Sequence, residues 1–349
     1  MEKMNVESRL SFASDYMEGA HPELLRRLAE TNTCKSAGYG LDTYSESARE
    51  KIRAACRAPE ADVFFLSGGT QTNAVMIDAL LRPYQGVIAA ETGHISVHEA
   101  GAIEFGGHKV LTLPQYEGKL RAEDIARCVR TWREDANRDH MVMPGMVYLS
   151  HPTEFGTLYS LAELTEISRI CRENHLPLYL DGARLAYALA CPENDVTLPN
   201  LAALCDAFYI GGTKCSALFG EAAVIPRHDD IPHLFTIIKQ HGALLAKGFV
   251  AGVQFDALFT GELYFSIGKT AVNAADRIRA ALHERGYRLA WDAPTNQIFV
   301  VLEKEQAAAL SEKIEMSFWE NVDETHTIMR IVTSWATQAE EVDRLIACL

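Results

Sequence analysis

Lys214 is the residue of this sequence best placed to act as an amine nucleophile. It follows the apolar run 208–210 and the pair Gly211-Gly212, so it is expected just beyond a buried strand. Partial burial lowers the pKa of a lysine, and a neutral amine can form a Schiff base with a carbonyl compound. Because most lysines near loops are merely solvated, Lys214 indicates this chemistry only in combination with other residues.

Asp181 ends another apolar run, 178–180, and is followed by Gly182, Ala183 and Arg184. A buried carboxylate needs a cation or hydrogen bonds, because otherwise it takes up a proton. Two interpretations of Asp181 stay open. It forms a structural ion pair with Arg184, or it holds the charge of a pyridinium nitrogen and so strengthens that ring as an electron sink.

Gly68, Gly69 and Thr70 lie between the apolar run 63–66 and a helix-compatible stretch, 74–81. Free backbone N–H groups and the positive dipole end of a helix at this point would suit a phosphate group. The segment matches neither G-x-G-x-x-G nor a Walker A motif, which argues against a dinucleotide or a nucleoside triphosphate. The alternative is a turn that needs the backbone freedom of glycine.

These three segments all follow short apolar runs, and the same pattern recurs between residues 62 and 224. The runs that end in small or polar residues are 63–66, 87–90, 146–149, 178–180 and 208–210. Helical periodicity between them, clearest at 121–134 and at 161–170, predicts βα units around a largely parallel sheet. Because such sheets bind ligands at the carboxyl ends of their strands, the three segments are expected to meet there.

Beyond residue 253 the pattern changes to that of a smaller α+β domain. The predicted elements are a helix at 270–285, a strand at 297–302, a helix at 304–314, a strand at 327–332 and a helix at 340–348.

Composition and charge exclude several classes of function. The 349 residues include 33 Lys and Arg against 47 Asp and Glu, a net charge of −14, which disfavours nucleic acid and anionic membranes as partners. No stretch approaches the ~20 apolar residues of a membrane span. Eight cysteines without a C-x-x-C pair predict reduced thiols and a cytoplasmic location.

Two other kinds of active site lack their motifs. His94 and His98 are four residues apart, but glycines flank them and no H-E-x-x-H is present, so no metal site is expected. No G-x-S-x-G is present either, which argues against a serine hydrolase.

The turn at Gly68, Gly69 and Thr70, together with Asp181 and Lys214, could bind three parts of pyridoxal phosphate, namely its phosphate, its ring nitrogen and its aldehyde. The chain resembles the low-specificity threonine aldolase and β-eliminating lyase group of fold-type-I pyridoxal-phosphate enzymes over nearly its full length. The matching segments are Ser14-Asp15, Gly19-Ala20-His21-Pro22, Tyr39-Gly40-x-Asp42, Gly69-Thr70-Gln71-x-Asn73, Glu91-x-Gly93-His94, Asp181-Gly182-Ala183-Arg184, Lys214 and Arg330-x-Val332-Thr333-Ser334.

This resemblance implies an α/β fold and an arrangement of domains. Residues 1–45 would contribute to the active site and to a dimer contact. Residues 46–252 would form the large cofactor-binding domain, a mostly parallel sheet flanked by helices, and residues 253–349 the smaller α+β domain. The active site would lie at the interface of a homodimer or homotetramer, with an amino acid as its small-molecule substrate.

The resemblance also implies a role for each matching residue. Lys214 would bind the cofactor aldehyde, and His94 would stack on the pyridine ring and take part in acid–base steps. The remaining assignments are Gly69 and Thr70 to the phosphate, Asp181 to the ring nitrogen, Arg184 to the phenolic oxygen and the substrate carboxylate, Arg330 and Ser14 to that carboxylate, Tyr39 to the substrate side, and Lys247 to the phosphate in a neighbouring subunit.

One position departs from the pattern of the family. Many members have a histidine that places the β-hydroxyl of the substrate, and either His151 or Glu154 falls opposite it, depending on the alignment. The predicted reaction is the cleavage of threonine or allo-threonine to glycine and an aldehyde, in which His94 or His151, or a water they hold, would take the β-hydroxyl proton. A β-eliminating lyase, an amino-acid racemase and a non-catalytic relative on the same scaffold are the alternatives.

Overall fold

The computed structural model describes residues 9–349, in which strands and helices alternate along most of the chain. The strands are β1 (Leu10–Ser11), β2 (Asp62–Leu66), β3 (Gln85–Ala90), β4 (Lys109–Leu113), β5 (Met143–Ser150), β6 (Leu178–Asp181), β7 (Ala207–Gly211), β8 (Glu221–Ile225), β9 (Arg288–Leu289), β10 (Gln297–Glu303), β11 (Ile314–Glu315), β12 (Ser317–Asn321) and β13 (His326–Val332).

The helices connect these strands and cover the sheets. They are α1 (Pro22–Thr31), α2 (Thr43–Cys56), α3 (Gly69–Leu80), α4 (His94–Val97), α5 (Ala102–Phe105), α6 (Ala122–Glu134), α7 (Leu161–Glu173), α8 (Leu185–Ala190), α9 (Leu198–Leu204), α10 (Leu234–Gln240), α11 (Phe249–Leu258), α12 (Leu263–Glu284), α13 (Lys304–Ser311) and α14 (Ala339–Cys348). Arg138–His140 form a 3-10 turn. None of the helices within residues 9–349 is both long and apolar enough to span a membrane.

The central sheet has the strand order β2-β8-β7-β6-β5-β3-β4. β4, β3, β5, β6 and β7 are parallel, whereas β8 is antiparallel to both of its neighbours. β2 therefore runs in the direction of the parallel strands, and the carboxyl ends of all five predicted strands lie at one edge. The prediction of a largely parallel sheet is confirmed.

The predicted strands coincide with β2, β3, β5, β6 and β7 because uninterrupted apolar runs suit strands that are covered on both faces. Alternate residues enter two separate hydrophobic clusters, with Leu180 and Phe208 in one and Tyr179 and Tyr209 in the other. The sequence does not predict β4 and β8. β4 is a partly exposed edge strand, and β8 begins with a glutamate and two alanines, so neither has a long apolar run.

The C-terminal part of the chain forms a smaller antiparallel sheet of order β12-β13-β10-β9. It contains both of the strands predicted there, and α13 and α14 lie close to their predicted bounds, whereas α12 begins seven residues before the predicted start at 270. β1 pairs in parallel with β11, which attaches the beginning of the described chain to this part of the molecule. The central sheet is formed by strands before residue 252 and the four-stranded sheet by strands after it, and the domain boundaries at 45 and 252 stay predictions.

Gly252 lets α11 pack closely on α2. A Cβ at this position would lie 2.8 Å from the Cα and from the backbone nitrogen of Ser45. We expect Gly252→Ala to lower the free energy of unfolding by about 1–3 kcal/mol, because two backbones would have to move apart. Denaturant unfolding measures the change. Gly19→Ala is the matched control, since no atom lies within 4 Å of its added Cβ, and an equal loss in both variants would contradict the packing argument.

Candidate active site

A cavity of about 220 Å³ opens at the edge of the central sheet where the parallel strands end. Six of the predicted site residues line it, namely Gly69, Thr70, His94, Asp181, Arg184 and Lys214. They follow four different strands of the sheet and are far apart in the sequence. The structure brings them together because strands that run in one direction end at one edge.

Asp181 is buried at the end of β6, and each of its carboxylate oxygens accepts two hydrogen bonds. Oδ1 accepts from the Tyr209 hydroxyl at 2.6 Å and from the Ala183 backbone N–H at 3.0 Å. Oδ2 accepts from the Tyr148 hydroxyl at 2.8 Å and from Nδ2 of Asn73 at 2.9 Å. All of the contacting groups are donors, so the arrangement favours an ionised carboxylate.

Burial by itself raises the pKa of Asp181, but opposing effects outweigh it. The positive charge of His94 and the hydrogen bonds from Tyr209 and Asn73 hold the pKa below its ordinary value. Asp181 is therefore an anion at neutral pH and can hold a cationic ring nitrogen.

Lys214 follows β7, and its side chain lies in the cavity. Burial, followed by the charge of Arg184, lowers the pKa of its amine, although Asp15 and Asp181 act in the opposite direction. The Tyr187 hydroxyl donates to the carbonyl oxygen of Lys214 at 2.5 Å, which holds the backbone in place. A lysine in these surroundings is a better nucleophile than a solvated one.

The turn after β2 provides an anion site at one end of the cavity. α3 begins at Gly69, and no side chain within the described residues caps it. Its first N–H groups are therefore available to an anion. A Cβ at position 69 would lie 3.1 Å from the Tyr209 hydroxyl, so glycine keeps this end of the cavity open.

The ring of His94 contacts the buried carboxylate of Glu99. Its Nδ1 lies 2.7 Å from Oε1 of Glu99, and the same oxygen accepts from Nδ2 of Asn73 at 2.7 Å. Because Asn73 also donates to Asp181, one amide joins the surroundings of His94 to those of Asp181. With Nδ1 occupied by Glu99, Nε2 is the ring nitrogen of His94 left for other partners.

Arg184 is paired with a residue from the beginning of the chain. Its Nε and Nη2 donate to the two carboxylate oxygens of Asp15 at 2.6 and 3.0 Å, and Asp15 is fully buried. The interpretation of Asp181 as the ion-pair partner of Arg184 is therefore wrong. Asp181 already has four donors, while Asp15 offers Arg184 a two-point contact that suits the guanidinium group.

A second chamber of about 400 Å³ adjoins the cavity and shares Arg184 and Lys214 with it. Arg330 and Trp319 from the C-terminal sheet line this chamber, together with His98. Burial, followed by repulsion from Arg184, lowers the pKa of Arg330 to about 10. Nε of Arg330 is buried without a hydrogen-bond partner in residues 9–349, so the two arginines form a site that an anion would stabilise.

The structure separates the two candidates for the β-hydroxyl position. Glu154 lines the cavity, and its Oε1 accepts from the Ser150 hydroxyl at 2.6 Å and from the His94 backbone N–H at 2.7 Å. His151 is buried but is not among the residues that line the cavity, and its Nε2 lies 3.3 Å from Oδ1 of Asn194. Burial lowers the pKa of His151 to about 4. The geometry therefore favours Glu154.

Three further predicted residues are not among those that line the cavity in this chain. Ser14 adjoins Asp15, and its hydroxyl is buried with no partner in the described part of the chain. Tyr39 is exposed, and the centroid of its ring lies 4.8 Å from Nζ of Lys239. Lys247 is exposed as well. The roles of Tyr39 and Lys247 depend on a second subunit and stay predictions.

Sequence reasoning gives no role to several groups of this site. Glu221 lines the cavity as the first residue of β8, and burial raises the pKa of its carboxyl group to about 7. Tyr16 and Trp319 reach the chambers from distant segments. A polar residue five positions after His94 is the one local signal that could have suggested Glu99. Glu221, Tyr16 and Trp319 have no local signal in the sequence, because their positions beside the cavity depend on strand direction and on packing between distant parts of the chain.

These residues fit pyridoxal phosphate. The chain provides an open helix N-terminus for the phosphate, an ionised carboxylate for the ring nitrogen and a buried amine for the aldehyde, all around one cavity. The uncapped turn at Gly69 and the four donors to Asp181 are the observations that decide this fit.

Comparisons with known proteins agree with this geometry. The family model described as beta-eliminating lyase matches residues 11–317. The low specificity L-threonine aldolase of Pseudomonas aeruginosa is 30% identical over 341 residues, which cover 96% of this chain and 95% of that protein. The structure of Leishmania major threonine aldolase is 44% identical, with a TM-score of 0.93, and covers 97% of this chain and 98% of that one.

A more distant structure shares the fold alone. The aspartate aminotransferase of Thermus thermophilus is 16% identical, with a TM-score of 0.70, over 97% of this chain and 90% of that one. The predicted fold class, that of the fold-type-I pyridoxal-phosphate enzymes, is confirmed.

Proposed function

Because this chain belongs to the beta-eliminating lyase family, we propose that it is a pyridoxal-phosphate-dependent aldolase that cleaves L-threonine, L-allo-threonine and related β-hydroxy amino acids to glycine and an aldehyde. The observation that carries the proposal is the placement of Lys214 and Asp181 in one cavity beside an uncapped helix N-terminus. The similarity to the P. aeruginosa and L. major threonine aldolases supports the substrate class.

Pyridoxal phosphate, when bound, supplies an electron sink that stabilises negative charge on Cα of an amino acid. The residues of the chain decide where this sink is placed and which bond it weakens. Asp181, as an anion, would keep the ring nitrogen protonated, and the turn at Gly69 and Thr70 would hold the phosphate. His94, whose own ring is oriented by Glu99, would stack on the face of the cofactor ring.

Two arginines orient the substrate. Arg330 and Arg184 both line the outer chamber. The Nε of Arg330 is buried and forms no hydrogen bond within residues 9–349. An amino-acid carboxylate between them would satisfy this group and relieve the repulsion between the two charges. By fixing the carboxylate, the two arginines would orient the substrate so that its Cα–Cβ bond is the bond that the electron sink weakens.

Product analysis tests the proposal against its alternatives. Purified protein loaded with pyridoxal phosphate is incubated with L-threonine and with L-allo-threonine. We expect equal amounts of glycine and acetaldehyde. Ammonia with a 2-oxo acid would instead identify a β-eliminating lyase, a D-amino acid would identify a racemase, and no product at all would identify a non-catalytic relative.

Glu99 gives a prediction for the placement of His94. We expect Glu99→Gln to lower kcat/KM for threonine cleavage about 10–100-fold, because an amide can turn either an oxygen or an NH₂ toward Nδ1 and no longer fixes one tautomer. Steady-state kinetics and the absorbance spectrum of the bound cofactor measure the effect. Glu104→Gln, at an exposed position nearby, is the control and should match the parent protein. An unchanged kcat/KM in Glu99→Gln would contradict the role of this pair.

The assembly and the location of the protein stay proposals. We place the site at the interface of a homodimer or homotetramer, with Tyr39 and Lys247 serving the cavity of the neighbouring subunit. The exposure of both side chains in this chain supports the idea. Sedimentation equilibrium and the affinity of Lys247→Ala for pyridoxal phosphate test it, and a monomer with full affinity would contradict it. The cytoplasmic location also stays a prediction.

A further inference from the structure

His98 lies at the boundary between the central sheet and the C-terminal sheet. It follows α4 directly, so that the short helix carries His94 at its beginning and His98 at its end. The side chain of His98 lines the outer chamber with Arg330 and Lys214, the groups assigned to the substrate carboxylate and to the cofactor. A substrate held by Arg330 would therefore have His98 in the wall around it.

The side chain of His98 is exposed, has two aromatic neighbours and forms no hydrogen bond through its ring within residues 9–349. Its centroid lies 5.7 Å from that of His94 and 6.2 Å from that of Trp319. Neither ring nitrogen forms a hydrogen bond within residues 9–349, although the backbone N–H of His98 donates to the carbonyl of His94 at 2.9 Å. A ring that lies beside two aromatic neighbours while both of its nitrogens stay available can bind a hydroxyl group.

The charges around His98 favour its neutral form. Partial desolvation, followed by the positive charges of His94, Arg330 and Lys214, lowers the pKa of His98 below its ordinary value. Glu154 and Arg184 are the other charged groups that line the same chamber, and Tyr16 is the remaining titratable one. A neutral imidazole can accept a proton at neutral pH, whereas an imidazolium cannot.

Several of the other titratable groups around the substrate are already engaged, whereas Nε2 of His94 and the hydroxyl of Tyr16 have no hydrogen-bond partner in residues 9–349. Asp181 accepts four hydrogen bonds, and Nδ1 of His94 is bound to Glu99. Oε1 of Glu154 accepts from two donors, and burial raises the pKa of its carboxyl group, which favours the protonated form.

We propose that His98 is a catalytic residue that accepts the proton of the substrate β-hydroxyl during cleavage. This inference rests on the proposed aldolase function. The O–H bond breaks, and its proton moves to a ring nitrogen of His98. The O–H electron pair forms the C=O bond of the aldehyde as the Cα–Cβ bond breaks, and the pair from that bond stays on Cα. Cα then gains one proton from solvent to give glycine, and protonated His98 returns its proton to solvent, so atoms and charge balance.

The test compares a reaction that needs this base with one that does not. Cleavage of L-threonine involves the β-hydroxyl, whereas exchange of a glycine α-proton with deuterated water uses the same cofactor, lysine and arginines without it. Both rates are measured for the protein loaded with pyridoxal phosphate, as the parent, as His98→Asn and as His98→Phe. His175→Asn is the matched control, because His175 is exposed and has a left-handed backbone that asparagine tolerates.

We expect both His98 variants to cleave threonine about 10²–10³-fold more slowly, the scale of general base catalysis, while glycine exchange stays within about threefold of the parent. The parent should lose kcat as the pH falls through the pKa of His98, and the variants should lack this dependence. His175→Asn should behave as the parent does.

Three results would overturn the inference. Cleavage within about threefold of the parent would show that His98 is not the base. An equal loss of cleavage and exchange would show that His98 only supports the structure. If the parent protein exchanges the glycine proton but cleaves no β-hydroxy amino acid, the proposed function fails, and the role of His98 fails with it.

Discussion

Lys214→Ala is expected to abolish threonine cleavage, with kcat reduced by more than about 10⁴-fold, the scale seen when a covalent nucleophile is removed. The reason is that no other amine among the described residues lines the inner cavity. The cofactor could still bind through its phosphate and its ring nitrogen, but it would have no covalent attachment to the chain. Purified Lys214→Ala should therefore lack the visible absorbance of covalently bound cofactor.

Borohydride reduction provides the direct measurement for this prediction. In the parent protein, peptide mass spectrometry after reduction should locate the cofactor on Lys214, and in Lys214→Ala no peptide should carry it. Lys269→Ala is the matched control, because Lys269 is exposed on α12. An adduct at any other lysine of the parent protein would contradict the assignment of the whole site.

Asp181→Asn is expected to lower kcat about 10²–10³-fold, the cost of removing one preorganised electrostatic contact. An amide cannot keep the ring nitrogen protonated, so the electron sink weakens. The variant also brings an NH₂ group among the donors from Tyr209, Tyr148 and Asn73, which leaves buried donors unpaired. We expect the free energy of unfolding to fall by about 1–3 kcal/mol as well.

The two effects of Asp181→Asn are measured separately, by steady-state kinetics with saturating cofactor and by denaturant unfolding. Asp343→Asn, at an exposed position on α14, is the control and should change neither quantity appreciably. If kcat of Asp181→Asn stays within about threefold of the parent, Asp181 is a structural residue and the electrostatic argument fails.

The pKa of Asp181 also predicts a dependence of stability on pH. Its folded pKa lies below the unfolded value, so ionisation of Asp181 stabilises the folded protein at pH values above the unfolded pKa. This contribution is lost as the pH falls below about 4 and through the folded pKa. Asp181→Asn should therefore lose less stability than the parent between neutral and acid pH.

Five strands of the largely parallel sheet and the residues at their carboxyl ends could be predicted from the sequence, whereas the order of the strands could not. Apolar runs report local burial, and buried runs separated by amphipathic helices have few ways to form a sheet. The shared edge of such a sheet then brings Gly69, Asp181 and Lys214 together without any knowledge of the packing. Similarity to a known family extended this prediction to His94 and Arg330.

The partners of these residues could not be predicted, and the tertiary structure decided them. Asp15 reaches Arg184 across 169 positions of the chain, because β1 is paired with β11 and the following segment passes over the site. Glu154 faces the cavity and His151 does not, although the two are close in the sequence. Side chains in an irregular turn have no periodicity that reports their direction.

What the sequence by itself determined is the set of groups at the strand ends that we propose to bind the cofactor, since strand ends follow from local patterns of burial. What only the tertiary structure decided is the wall around the substrate, where His98 meets Trp319 and Arg330. Trp319 and Arg330 belong to the C-terminal sheet, whereas His98 follows α4 beside the central sheet, so their approach depends on how the two parts of the chain pack. Local periodicity carries no information about contacts of this kind, because they form between segments whose burial patterns are independent.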